Sequence, residues 1–302
     1  MTQTNDFATN REFKSRIFSM IFSDKKELLE LYNAISGKDY KDSEQLEINT
    51  LDNAIYMAMH NDVSFLIQWN LNLYEQQSTF NPNMPLRYLF YVSDIYSAMV
   101  KNKNIYGTKL IEIPAPQFIV FYNGEREMPD EQILRLSDAY ILGDEENSLE
   151  LKVRMLNINQ GHNEELLRMC KTLGDYSKYT HRVRKYAKEM DIKQAVELSV
   201  KECISEGILK EFLELNQAEA IKMSIYEYDQ AKHIQMEREQ AKEDARIVMK
   251  CEMIRKLLKT MGVDEIVKIT EWDEKTVLAV VEAIRNNPEM LDESIAEKVG
   301  LL

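Results

Sequence analysis

Glycine and proline are scarce in this chain, 9 and 6 among 302 residues, where a globular protein carries roughly 7% and 5% of them. So few turn-formers exclude a β-sandwich or a propeller, whose many corners need them, and favour helix. Cysteine is scarcer still. Cys170, Cys203 and Cys251 are odd in number and far apart, with no Cys-x-x-Cys and no Cys/His spacing. That pattern indicates neither a disulfide framework nor a zinc site and fits a reducing cytoplasm. No apolar run approaches the ~20 residues of a membrane span, and MTQTNDFATNREFK at the N-terminus lacks the apolar core of a secretory signal. A cytoplasmic protein with no membrane partner is expected. Cations are the minority charge: 38 Lys and Arg face 51 Asp and Glu, a formal net charge of −13. This excludes a protein that coats nucleic acid with its whole surface, though not a local basic stripe. GxGxxG, GxxxxGK[ST] and GxSxG are all missing, so no nucleotide cofactor and no α/β-hydrolase chemistry are expected.

What is present is ample core material, 44% hydrophobic residues, arranged in two styles that change near residue 160. Residues 11–35 place Phe13, Ile17, Met20 and Ile21, then Leu28, Leu31, Tyr32 and Ile35, at helical spacing. Ser23 reads as the N-cap between two helices, and Gly37 as the stop. Val63–Ile67 is a short apolar run and Leu71–Gln77 alternates with period two, so the pair reads as an antiparallel hairpin turning at 68–70. Pro85 suits the first turn of a helix over 86–100. Residues 117–122, QFIVFY, are apolar almost throughout, which predicts a strand buried on both faces. One more strand is expected in 149–158. From 163 onward good helix formers dominate, with one long or two nearly continuous helices between Gly207 and Gly262, and two short helices over 262–285 packing on Met253, Leu257 and Leu258. The reading is α/β: a small mixed sheet flanked by helices in 1–162, a helical extension in 163–247 and a small helical module in 248–302.

The hairpin is the strongest candidate for chemistry. Asp62 opens its first strand, and Glu75 and Gln77 stand two apart near the end of the second. Residues i and i+2 of a strand share a face, and an antiparallel hairpin brings the start of one strand beside the end of the next. Two carboxylates and the main-chain carbonyl of Gln76 make a hard oxygen site suited to Mg²⁺ or Mn²⁺. With 51 acids in the chain, an Asp followed by Glu-x-Gln is also common by chance, and a solvated strand end is the plain alternative. A second candidate is KYTHRVRKYAK, where Lys178, Arg182, Arg184, Lys185 and Lys188 alternate with tyrosines and no acid intervenes. Such a run suits a phosphate backbone and base stacking, or else a solvated helix face. His60 lies near Asp62, but the four histidines form no paired motif, the cysteines read as packed thiols, and the methionines fall at core spacing. From Gly262 to Arg285 acids outnumber bases. Phosphates would repel that face, so a protein-contact or dimerisation role for the terminal helices is expected.

Several segments in order resemble one family. Phe13-Lys14 near a helical start, Asn61–Ile67 (NDVSFLI), Tyr74–Thr79 (YEQQST), Pro85–Val92 (PLRYLFYV), QFIVFYNG at 117–124, ECISEGILKEFL at 202–213 and EAIKMSIYEYD at 219–229 together resemble the Rpn (YhgA-like) family of recombination-promoting nucleases or transposases, within the PD-(D/E)XK nuclease superfamily. The resemblance spans roughly residues 11–240. It implies an α-β-β-β-α-β core and a Mg²⁺- or Mn²⁺-dependent endonuclease acting on DNA. Asp62 then matches a metal-ligand Asp and Glu75 the Glu of an E-x-Q signature. Gln77 stands where the wider superfamily has Lys; a neutral amide can position water but cannot acidify it. Arg87 and Tyr91, one helical turn apart, also match family positions, with phosphate contact or support of the carboxylates implied. Residues 178–188 would grip DNA, and the C-terminal helices would pair two copies. The alternatives are a catalytically weak or inactive module that binds DNA or protein, and a helical scaffold acting through 205–302.

Overall fold

Residues 16–48, 62–142, 148–270 and 272–302 are described by a computed structural model. Among the described residues two short helices come first, α1 (Arg16–Phe22) and α2 (Lys25–Ser36). Asp24, not Ser23, caps α2: its carboxylate accepts from the Lys26 and Glu27 amides at 2.8 and 3.2 Å. The Ser23 hydroxyl turns back to donate to the Met20 carbonyl at 2.8 Å. Gly37 ends α2 at φ 67°, a left-handed conformation that costs glycine least. Phe13 of the expected first helix lies outside the described residues.

Among the described residues the strands are β1 (Glu47–Ile48), β2 (Val63–Ile67), β3 (Asn70–Gln77), β4 (Ala115–Tyr122), β5 (Glu131–Arg135) and β6 (Lys152–Asn157), in the spatial order β1-β2-β3-β4-β6-β5. β1 and β3 pair antiparallel with β2, β4 is parallel to both β3 and β6, and β5 is antiparallel to β6. The hairpin turns on two residues, Gln68 and Trp69, with φ 44° and 64°. Helix α3 (Met84–Val100) crosses from β3 to β4 with Pro85 in its first turn. The succession α2-β1-β2-β3-α3-β4 is the α-β-β-β-α-β order expected above. β1 and β5 were not legible in the sequence. β1 is two residues long, and β5 shows the sheet only Leu134 as a buried side chain.

Residue alternation sorts the sheet into two faces. Leu71, Leu73, Phe118 and Val120 pack under Met84, Tyr88, Tyr91 and Ile95 of α3. Val63, Phe65, Ile67, Tyr74, Ile119 and Phe121 face the other way. They meet Phe18 of α1, Leu28 and Leu31 of α2, and residues of α5 (Lys171–Ala187), α6 (Ile192–Glu206) and the start of α7 (Lys210–Leu257). Phe18 touches Phe121 at 5.2 Å and Tyr176 at 5.7 Å between ring centres. β4 is accordingly buried on both faces, its last five residues all inaccessible.

The chain divides into two units, Met1–Asp229 and Gln230–Leu302. The expected boundary at 162/163 is therefore not one. The helical extension supplies Leu173, Tyr176, Tyr179, Val196, Val200 and Cys203 to the same core as the strands, so the change of secondary structure at 162/163 does not divide the core. A short helix, α4 (Glu164–Met169), links β6 to α5. α7 is helical on either side of a kink at Asn216, whose φ −119° and ψ 22° are not helical. In the second unit its last turns meet α8 (Val263–Thr270), α9 (Glu274–Asn286) and α10 (Asp292–Lys298) around Cys251, Ile254, Ile266, Val280, Val281 and Ile295. Leu257 and Leu258 pack there as expected, while Cys251 and Ile254, not Met253, take the inner positions. Arg255 holds α10 by donating to Asp292 at 2.7 Å and to the Met290 carbonyl at 2.6 Å. Among the described residues no helix is long and apolar enough to cross a membrane.

Candidate active site

The site begins with the hairpin register. Val63 opposes Tyr74, which sets Asp62, just before β2, beside Glu75, and the neighbours of a strand residue project to the face opposite its own. Val63 and Tyr74 face α1 and α2, which turns Asp62 and Glu75 toward α3. The charges of both acids bear on Tyr88 and Tyr91 of that helix. The two carboxylates thus share a face and an end of the sheet, the carboxyl end of the parallel strands, where open α/β sheets bind ligands.

Each residue there is held. The Asp62 carboxylate accepts from the Gln76 amide at 2.6 Å. Glu75 is 2% exposed, and its Oε1 accepts from Arg87 Nη2 at 2.6 Å and from the Gln77 side-chain amide. Tyr91 Oη accepts from the same guanidinium at 2.7 and 3.2 Å. Burial works against the Arg87 cation, but Glu75, Tyr91 and Tyr88 outweigh it and raise its pKa. Burial, and next the Glu75 charge, push the Tyr91 phenol up, so it stays protonated at neutral pH. Of the roles implied for Arg87 and Tyr91, the geometry matches support of a carboxylate. Gln77 likewise orients Glu75.

Among the described residues no three His, Cys, Asp or Glu side chains group to hold a metal. The donor set available to Mg²⁺ or Mn²⁺ is two carboxylates and a carbonyl. The Gln77 carbonyl accepts from the Asn123 amide on the β4 side at 3.1 Å. The peptide groups of Gln76 therefore point the opposite way, toward Asp62, as its amide does. Three hard oxygens from 62, 75 and 76 fit such a cation.

The basic segment lies on α5 but is not one free stripe. Lys178 pairs with buried Asp175 at 3.2 Å, and Arg182 forks onto Glu206 at 2.9 and 2.6 Å. Arg184 donates to Asn159 at 3.3 Å, Lys188 stands 3.8 Å from Glu125, and Lys185 is exposed. Burial and the charges of Arg184, Lys185 and Lys188 depress the pKa of His181. Arg184 and Lys188 thus reach the same carboxyl end of the sheet as Asp62 and Glu75, on the opposite face.

Sequence reading missed a group of amides at that end. Gln76 Nε2 donates to Asn123 Oδ1 at 2.5 Å, Asn159 donates to the Gly124 carbonyl at 3.0 Å, and Asn157 donates to the Met128 carbonyl at 2.9 Å. The one signal for Asn123, Asn157 and Asn159 in the sequence is their place at the ends of strands. His60 lies outside the described residues. The three cysteines are buried free thiols. Comparison with protein-family models, curated proteins and solved structures finds no match to this chain.

Proposed function

We propose that the chain is a divalent-metal-dependent DNA endonuclease that hydrolyses phosphodiester bonds, as the resemblance to recombination-promoting nucleases implies. The observation that carries this reading is the convergence of Asp62, Glu75 and the Gln76 carbonyl at the carboxyl end of β3. Asp62, Glu75 and that carbonyl would hold Mg²⁺ or Mn²⁺. Such an ion lowers the pKa of bound water and offsets charge on a phosphate. Arg87 and Gln77 fix the Glu75 carboxylate, and the protonated Tyr91 fixes Arg87. Lys185, Lys188 and Arg184 offer charge to a phosphate backbone that runs over the end of the sheet.

A second reading, a nuclease-fold module that binds DNA without cutting it, is favoured by one observation. Glu75 already has a cation at 2.6 Å, and the neutral Gln77 cannot supply another. Plasmid nicking with Mg²⁺ or Mn²⁺ separates the two. Cleavage that falls at least about 100-fold in Asp62→Ala and Glu75→Ala supports the enzyme. Equal cleavage by wild type and the double variant removes this site, and metal-independent DNA retention without cleavage favours the module.

A further inference from the structure

We propose that Asn123 is a positioning residue for the Gln76 carbonyl, acting through the Gln76 side chain; this rests on the metal site proposed above. Gln76 is an odd occupant of its place. It sits inside β3 on the face of Tyr74, opposite Phe121 of β4, and is 8% exposed. An amide there costs more than a methionine of similar size unless it is hydrogen-bonded. Its partner is Asn123, 2% exposed, whose Oδ1 accepts from Gln76 Nε2 at 2.5 Å.

Asn123 makes a second bond to the same stretch of chain. Its own amide donates to the Gln77 carbonyl at 3.1 Å. On the other side, the Gln76 amide donates to Asp62 at 2.6 Å. The 76–77 peptide, which bears the proposed metal-binding oxygen, lies between these restraints. Gly124 closes the lock: a Cβ there would run into the Ser78 carbonyl and the Tyr122 hydroxyl, so the ends of β3 and β4 meet only with glycine at this point. The Gln76–Asn123 bond is on the face away from Glu75 and Gln77. Changing it leaves every proposed ligand in place and alters only how firmly the carbonyl is aimed. Groups one bond removed from a ligand typically change metal affinity by 10- to 100-fold.

The test is Mn²⁺ binding to the full chain, followed by calorimetry, for wild type, Asn123→Ala, Gln76→Met and the double variant, each checked for cooperative melting. Each single substitution is expected to raise the Kd about tenfold, and the double no further than either single, because both break one bond. Folded single variants that keep the wild-type Kd overturn the proposal, as do single effects that multiply in the double. If Asn123→Ala does not fold, Gln76→Met alone decides. Asp62→Ala separates the two levels. Loss of binding there with unchanged binding in Gln76→Met sinks the role of Asn123 only. Wild-type binding in Asp62→Ala sinks the metal site and this inference together.

Discussion

Arg87 is the residue on which the candidate site's electrostatics turn. Its guanidinium meets Glu75 at 2.6 Å, with side-chain exposures of 20% and 3%, and lies 5.7 Å from the Tyr91 ring centre. Two charges this deep persist only because they compensate one another, and removing one leaves the other stranded. Arg87→Met is therefore expected to destabilise the first unit by about 3 kcal/mol, read as the shift of its urea midpoint. Glu75→Gln keeps an acceptor for Arg87 and a partner for Gln77, so its loss is smaller, about 1 kcal/mol. Equal losses would mean that the charge of Glu75, not its hydrogen bonding, holds this corner. In the sequence only the resemblance pointed to support of a carboxylate by Arg87. The residue types at 75 and 87 were legible, but their pairing depends on α3 lying over β3, a contact made by Tyr88, Leu73 and Val120 and not by the two charged residues themselves.

Elements were legible where burial writes a period and obscure where it does not. β4 could be read because both faces are covered, and α3 because Met84, Tyr88, Tyr91, Val92 and Ile95 recur at helical spacing. The hairpin turn was misjudged by one residue. Two-residue turns of this left-handed kind favour Asn-Gly, whereas Gln68 and Trp69 take it here against their preference. The basic helix α5 was found as a composition, but composition does not say which cations are committed. Arg182 is locked to Glu206 and Lys178 to Asp175, so both tie α5 to its surroundings. Lys185 is exposed, and Lys188 is held only by an exposed pair at 3.8 Å, a contact worth little in water. If this helix grips DNA, Lys185→Ala and Lys188→Ala should each reduce the slope of log affinity against log salt by about one. Arg182→Ala should leave that slope alone and lower the melting temperature instead. Slopes untouched by the two lysine substitutions would place any DNA contact elsewhere.

At the scale of the whole molecule, the division at 229/230 runs through the interior of α7, just before the charged stretch from about Lys232 to Arg246, whose few apolar residues suit a spacer rather than core. The change from strands to helices is legible in the sequence, yet a unit is defined by shared core. Cys170 and Cys203 belong to the core of the first unit and Cys251 to that of the second, so the thiols report the two separately. Burial pushes Cys170 up to about 12, and Cys203 and Cys251 up to about 11. In an unfolded chain each returns to about 8.5. At pH 8 the folded protein thus holds only about a thousandth or less of each thiol as thiolate, the reactive form, and a disulfide reagent labels it only through opening. Because the folded pKa values are raised, this contribution to stability is complete below about pH 8.5 and is lost as pH climbs toward 11. Denaturant midpoints of both units should fall over that window, and replacing the three cysteines by alanine should flatten the fall. Labelling at pH 8 in increasing urea, with each cysteine located by peptide mass, is expected to expose Cys170 and Cys203 together and Cys251 in a transition of its own. A single transition for all three would show that α7 couples the units into one cooperative block, and rapid labelling in the absence of denaturant would contradict the burial of the thiols.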